Sequence, residues 1–228
     1  MIAMDPALLK ELPEWILQEA LFDSCQQIPD PPRLGRRIAR DGSTLWSQQA
    51  LRLLNSPGEM VSLAQMFPTH APVIFKECAF ARSTRQAYDV TDEEWKTQLL
   101  KTQPDFLITN KSGSLCVLVE VKRPALASSY WARAIKERVY WLALDARRSA
   151  SRGFVYIVSV ASGELCLAAM REQRIGASIL KGVMFWEDLL PMIGPALVRA
   201  AQCWADREEN GRLLWPRLWE WWQSLHPN

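Results

Sequence analysis

Soft metal-ligating and redox-active side chains are scarce in this sequence. Of 228 residues only two are histidine, His70 and His226. The five cysteines, Cys25, Cys78, Cys116, Cys166 and Cys203, are scattered, odd in number and contain no CxxC pair. That argues against a disulfide framework or a zinc ribbon. A metal would have to be held by carboxylates, which suit hard ions such as Mg²⁺ or Mn²⁺. Long apolar runs are also missing: no uncharged stretch of about 18 residues occurs, so no membrane span is expected. The opening MIAMDPALLKELPEW carries acids where a secretory signal would carry bases. The expectation is a soluble, cytoplasmic protein in a reducing compartment. Net charge is only +2, so an argument for nucleic acid has to come from local clustering. There is no internal repeat and no low-complexity segment.

What is present is an ordinary globular mixture. With 49% hydrophobic and 23% charged residues, the chain has the composition of a folded domain rather than a disordered one. Its length allows a core without disulfide staples. Residues 1–30 are acidic, with a local net of −5, and leucines around Pro13 predict one or two short amphipathic helices. A basic stretch follows, with Arg33, Arg36, Arg37, Arg40 and Arg52. Ser43 or Thr44 can cap a helix to about Leu54, and Glu59–Phe67 reads as another short helix.

The middle of the chain changes period. Residues 73–81 read as a strand, 92–101 as a helical insertion, 106–109 as a short strand and 115–122 as a buried central strand that is apolar on both faces until its end. A helix over 128–149 and a strand over 154–160 follow. Leu165–Met170 suggests one more strand. Helix returns from Phe185, with Pro195 read as a helix start and Asn210-Gly211 as a turn. Five of the eleven tryptophans fall in the last 25 residues. Leu214, Leu218, Trp221, Trp222 and Leu225 form a helical stripe of the kind that faces a core. The cysteines read as small buried hydrophobes.

One constellation carries chemistry. Pro104-Asp105-Phe106 is followed, across a turn, by Glu120-Val121-Lys122. If the two strands pair as a hairpin, Asp105 lies across from the end of the second strand. Glu120 and Lys122, two apart, share a face. Two carboxylates can hold a divalent ion, and an ammonium beside them can stabilise charge developing on a phosphoryl group.

These residues resemble the signature of the PD-(D/E)xK nuclease superfamily, whose core runs helix, three-stranded meander, helix, strand. The expected element order matches over roughly half the chain. The resemblance implies an α/β restriction-endonuclease-like core over 41–170. It does not cover the flanks, which read as a helical and basic segment over 1–40 and a helical, Trp-rich extension over 171–228. It further implies a Mg²⁺- or Mn²⁺-dependent deoxyribonuclease, with Asp105 and Glu120 as metal ligands and Lys122 as the catalytic lysine. The family often adds an acid from the first core helix, for which Glu59 is the candidate by order; Glu77, on the first strand, is its rival. The basic segment from Lys122 to Arg152, locally +6 and interleaved with aromatics, supplies Arg123, Arg133 and Lys136 as DNA contacts. Transposon-encoded strand-cutting subunits share the size and the PDF segment, so an endonuclease subunit dependent on a transposase is one alternative. A catalytically inactive binding or assembly subunit is another. The Trp-rich helix could serve a homodimer or a protein partner.

Overall fold

The computed structural model describes residues 6–34, 36–43, 45, 50–53, 59–67, 72–76, 103–110, 112, 114–122, 151–172 and 180–225. The expected helices 92–101 and 128–149, and with them Glu77, Arg123, Arg133 and Lys136, lie outside these residues. Among the described residues the chain is mixed α/β. Its helices are α1 (Pro6–Glu11), α2 (Glu14–Ser24), α3 (Leu63–Met66), α4 (Val160–Glu172), α5 (Trp186–Ala205) and α6 (Glu209–Leu225). The strands are β1 (Gln26–Gln27), β2 (Arg33–Leu34), β3 (Arg37–Ile38), β4 (Arg40–Asp41), β5 (Ala50–Leu53), β6 (Met60–Ser62), β7 (Val73–Lys76), β8 (Phe106–Thr109), β9 (Leu115–Val121), β10 (Ser151–Val158) and β11 (Leu180–Phe185).

Nine strands form one sheet in the order β1-β4-β7-β8-β9-β10-β11-β5-β6, while β2 and β3 form a separate ribbon. β7, β8 and β9 are an antiparallel meander. β9, β10 and β11 run parallel. β9 is buried along its whole length, because both faces of the sheet are covered. On one face Val117, Val119, Val155 and Ile157 meet the helices α1, α2, α5 and α6. On the other, Leu118, Phe154, Tyr156 and Val183 meet Cys166, Leu167 and Met170 of α4. Each fully buried large side chain here, such as Phe106, Phe154 or Trp186, contributes about 1.5–3 kcal/mol of transfer free energy.

Several expectations are corrected. Leu165–Met170 is helical. β10 and β11 are parallel, and parallel neighbours need a crossover connection, which α4 provides. β11 had no reading in the sequence. The helix expected to reach Leu54 gives way to β5, whose Leu51 is buried and which pairs with β11 and β6. Within Glu59–Phe67 only Leu63–Met66 is helical. Ser62 opens it with a capping box: the Ser62 hydroxyl accepts from Gln65 N at 3.1 Å, and Ser62 N donates to Gln65 Oε1 at 2.6 Å. α5 starts at Trp186, where helix was expected to return, but Pro195 does not start a helix: Pro191 and Pro195 both lie inside α5. Each removes one intrahelical hydrogen bond, which burial of Trp186, Leu189, Ile193 and Leu197 offsets. Cys25, Cys116 and Cys166 are buried as expected, but Cys203 is exposed. Burial pushes the Cys25 thiol up to about 11, so it stays protonated and unreactive.

Gly211 is not a turn residue. It sits in the first part of α6, where a Cβ would lie 2.6 Å from Ala205 N and 2.7 Å from Trp204 C. The glycine is needed for the close approach of α6 to the end of α5. Gly211→Ala is expected to lower the unfolding free energy by about 1–3 kcal/mol, measured by urea denaturation. The stripe Leu214, Leu218 and Trp221 is buried, as its spacing predicts, while Leu213 and Trp219 face outward. No helix among the described residues is long and apolar enough to cross a membrane.

Candidate functional site

The meander sets the site. Phe106 pairs with Val119, so one further step of register places Asp105 opposite Glu120. Glu120 continues the row of Cys116 and Leu118 along one face of the sheet, and Lys122 follows where β9 ends. The Lys122 backbone is fixed from two sides. Its N–H donates to Ile157 O at 2.9 Å, and its carbonyl accepts from Trp186 Nε1 at 2.8 Å. Trp186→Phe removes the indole donor and orphans a buried carbonyl. It is expected to cost about 1–3 kcal/mol, read as a shift of the urea midpoint.

Three polar groups meet at this strand end. Glu120 and Lys122 are both buried, at 2% and 4% exposure, and Lys122 Nζ donates to Glu120 Oε1 at 2.5 Å. Asp105, half-buried, accepts two hydrogen bonds. Gln18 Nε2 reaches Oδ1 at 2.9 Å, and Val121 N–H reaches Oδ2 at 2.6 Å. Burial pushes the Asp105 carboxyl up to about 7. The Glu120 carboxylate adds to the rise, while the Lys122 ammonium and the Val121 N–H oppose it. Burial alone would lower the Lys122 ammonium. The facing Glu120, with Glu14 behind it, outweighs burial and holds Lys122 protonated above the usual lysine range. Lys122 is therefore a fixed positive charge rather than a proton acceptor at neutral pH.

A fourth residue joins from α2, and the sequence did not point to it. Glu14 Oε1 lies 4.0 Å from Lys122 Nζ and raises the Asp105 carboxyl further. Glu14 and Gln18 are one turn apart and share a face of α2. The helix holds them there because Ile16, Leu17, Ala20 and Leu21 are buried in the core. The one sequence signal was Gln18, a polar residue within an apolar helical face.

Glu59, by contrast, is not brought to the site. It is exposed and precedes β6, which forms the far edge of the sheet, separated from β9 by β10, β11 and β5. Among the described residues β6 pairs with β5 alone, and Glu59 is exposed on that side.

Glu14, Asp105 and Glu120 offer hard oxygen donors of the kind Mg²⁺ and Mn²⁺ take. With all three ionised beside one ammonium, the cluster carries two net negative charges, the charge of one divalent cation. The raised Asp105 carboxyl fits the same reading: a cation can take the place of the proton that burial and Glu120 retain there. The carboxylates do not form a ready cage: among the described residues no group of three His, Cys, Asp or Glu side chains is already arranged to hold a metal ion. Glu120 would have to share its oxygens with Lys122. No protein-family model, curated protein or solved structure matches the chain.

Proposed function

We propose that the chain is a Mg²⁺- or Mn²⁺-dependent deoxyribonuclease with a restriction-endonuclease-like core, its site formed by Asp105, Glu120 and Lys122 with Glu14 as the additional acid. The observation that carries this reading is the convergence of three carboxylates and one buried ammonium at the end of an otherwise apolar central strand. Burying such groups is costly without a function or a full set of partners. A bound divalent ion would supply Lewis-acid stabilisation of the phosphodiester and a more acidic attacking water. Asp105 and Glu120 would hold it, with Glu14 alongside. Gln18 and the Val121 N–H orient the Asp105 carboxylate, so both of its oxygens have fixed directions. Lys122, protonated and anchored by its backbone, places a positive charge where phosphoryl oxygens gain negative charge.

Incubation of supercoiled plasmid with folded protein in Mg²⁺, in Mn²⁺ and in chelator tests the proposal. Nicked or linear product in the metals and intact plasmid in chelator is the expected result. Intact plasmid in all three would overturn it. The Glu120–Lys122 contact, which engages an oxygen a metal would need, favours a second reading: a non-hydrolytic binding or assembly subunit of the same architecture. Intact plasmid, with DNA binding retained, would move the weight there.

A further inference from the structure

Gln18 has one polar end committed and the other open. Its side chain lies in the core of the fold, at 7% exposure, and Nε2 donates to Asp105 Oδ1 at 2.9 Å. Among the described residues nothing donates to its Oε1. That oxygen is not sealed away from solvent either. Among the described residues the fully buried side-chain polar atoms without a partner are Arg52 Nε and Trp221 Nε1, and Gln18 Oε1 is not one of them. A buried amide thus presents an accessible oxygen beside the acids of the site.

The amide geometry keeps that oxygen close to Asp105. Oxygen and nitrogen of one carboxamide are about 2.2 Å apart. Added to the 2.9 Å hydrogen bond, this puts Oε1 within about 5 Å of Asp105 Oδ1. The position is firmly set. Phe22 stacks on Phe106 at 6.4 Å, and Glu19 holds Lys76, which pairs with the same Phe106. One turn before Gln18, on the same face of α2, Glu14 Oε1 stands 4.0 Å from Lys122 Nζ. The helix therefore brings one oxygen-bearing side chain to Lys122 and a second to Asp105.

We propose that Gln18 is a ligand of the divalent cation at this site, giving Oε1 to the ion while Nε2 holds Asp105 beside it. The inference rests on the metal-dependent reading above. Mg²⁺ takes an octahedron of oxygens, and carboxamide oxygens are among the donors that hard cations accept. The carboxylates leave room for one more, since a Glu120 oxygen is engaged by Lys122. A neutral oxygen adds a ligand without changing the match of two net negative charges to one divalent ion. Two oxygens on one such ion stand about 3–4 Å apart, which is within the reach of Oε1 from Asp105. A side chain that only steadied Asp105 would need the N–H and no accessible oxygen.

The test is Mn²⁺ binding without DNA, followed by the loss of the free-ion electron paramagnetic resonance signal. Wild type is compared with Gln18→Met, which keeps the length and loses both polar ends, and with Gln18→Glu, which keeps an oxygen and loses the N–H. Gln18→Met is also placed in an Asp105→Ala background, and circular dichroism checks that each protein is folded. Gln18→Met is expected to weaken Mn²⁺ binding about tenfold or more, and by a similar factor when Asp105 is absent. Gln18→Glu retains binding. Wild-type affinity in folded Gln18→Met, a double variant that binds no more weakly than Asp105→Ala, Gln18→Glu as weak as Gln18→Met, or no Mn²⁺ binding by wild type would each overturn the inference. Wild-type affinity in Gln18→Met beside a wild type that cuts plasmid in Mn²⁺ would remove the inference alone. Gln18-dependent Mn²⁺ binding by a wild type that never cuts DNA would remove the nuclease reading alone.

Discussion

Asp105→Asn is expected to abolish metal-dependent DNA cleavage, by about 10²–10³-fold or more, while leaving the fold intact. The substitution is nearly isosteric. The carbonyl of the introduced asparagine can keep the Val121 N–H, and its amide can donate to Gln18 once the Gln18 side chain turns its own oxygen inward. Only the charge and one metal-ligating oxygen are lost. The same variant has a stability signature in the metal-free protein. The Asp105 carboxyl titrates near 7 when folded against 3.8 as its ordinary value, so between about pH 4 and 7 the folded state binds the extra proton. Stability attributable to this group is therefore greatest below pH 4. It falls as pH rises through that window, by up to about 1.4 kcal/mol per pH unit, and is level above it. Asp105→Asn removes this slope, and saturating Mg²⁺ reduces it in wild type. Urea unfolding at pH 5 and pH 8, with and without metal, measures both.

Lys122→Met has the largest expected effect on stability. Glu120 is 2% exposed and its Oε1 accepts from Lys122 Nζ. Removing the ammonium takes from the buried Glu120 carboxylate a cation that it bonds, at a cost of about 3–5 kcal/mol. The double variant Lys122→Met/Glu120→Gln removes both charges and is expected to recover most of that loss, because a buried pair contributes little over neutral groups of similar volume. Cleavage stays absent in both variants. A double variant as unstable as the single one would mean that the loss comes from packing rather than from the lost ion pair. Activity in the recovered double variant would remove Lys122 and Glu120 from the catalytic set.

The parts of the fold that were legible in the sequence are those carried by short apolar runs between turns. The runs FLIT and LCVLVEV, the turn between them and the Pro-Asp … Glu-x-Lys spacing sufficed to place Asp105 across from the end of the second strand; the register that sets it opposite Glu120 is the structure's. Pro13 marked the break between α1 and α2 for a similarly local reason: it stands at the cap position of α2. Long-range pairing was not legible. Leu165–Met170 is a short apolar run, LCLAAM, which suits a buried strand or a helix alike, and only the parallel pairing of β10 with β11 makes it a crossover helix. The fourth acid was sought at Glu59, ahead of the meander, or at Glu77 on its first strand, whereas Glu14 comes from α2, a helix far earlier in the chain than Asp105. Its approach depends on packing of α2 under α5 and β8, which no local pattern encodes. Gly211 looked like a turn residue and is instead a contact point between two helices, a distinction that only the neighbouring backbone reveals.

Asp105, Glu120 and Lys122 are proposed to act as one metal-dependent site for cutting DNA. The most direct test is single-turnover cleavage of an end-labelled duplex in Mg²⁺ by wild type beside Asp105→Asn, with both shown to be folded and equally able to bind the duplex in chelator. Product formed by wild type and reduced at least about a hundredfold in the variant is the predicted result. Equal cleavage by the two proteins, or none by a wild type that binds the duplex and the metal, would contradict the account.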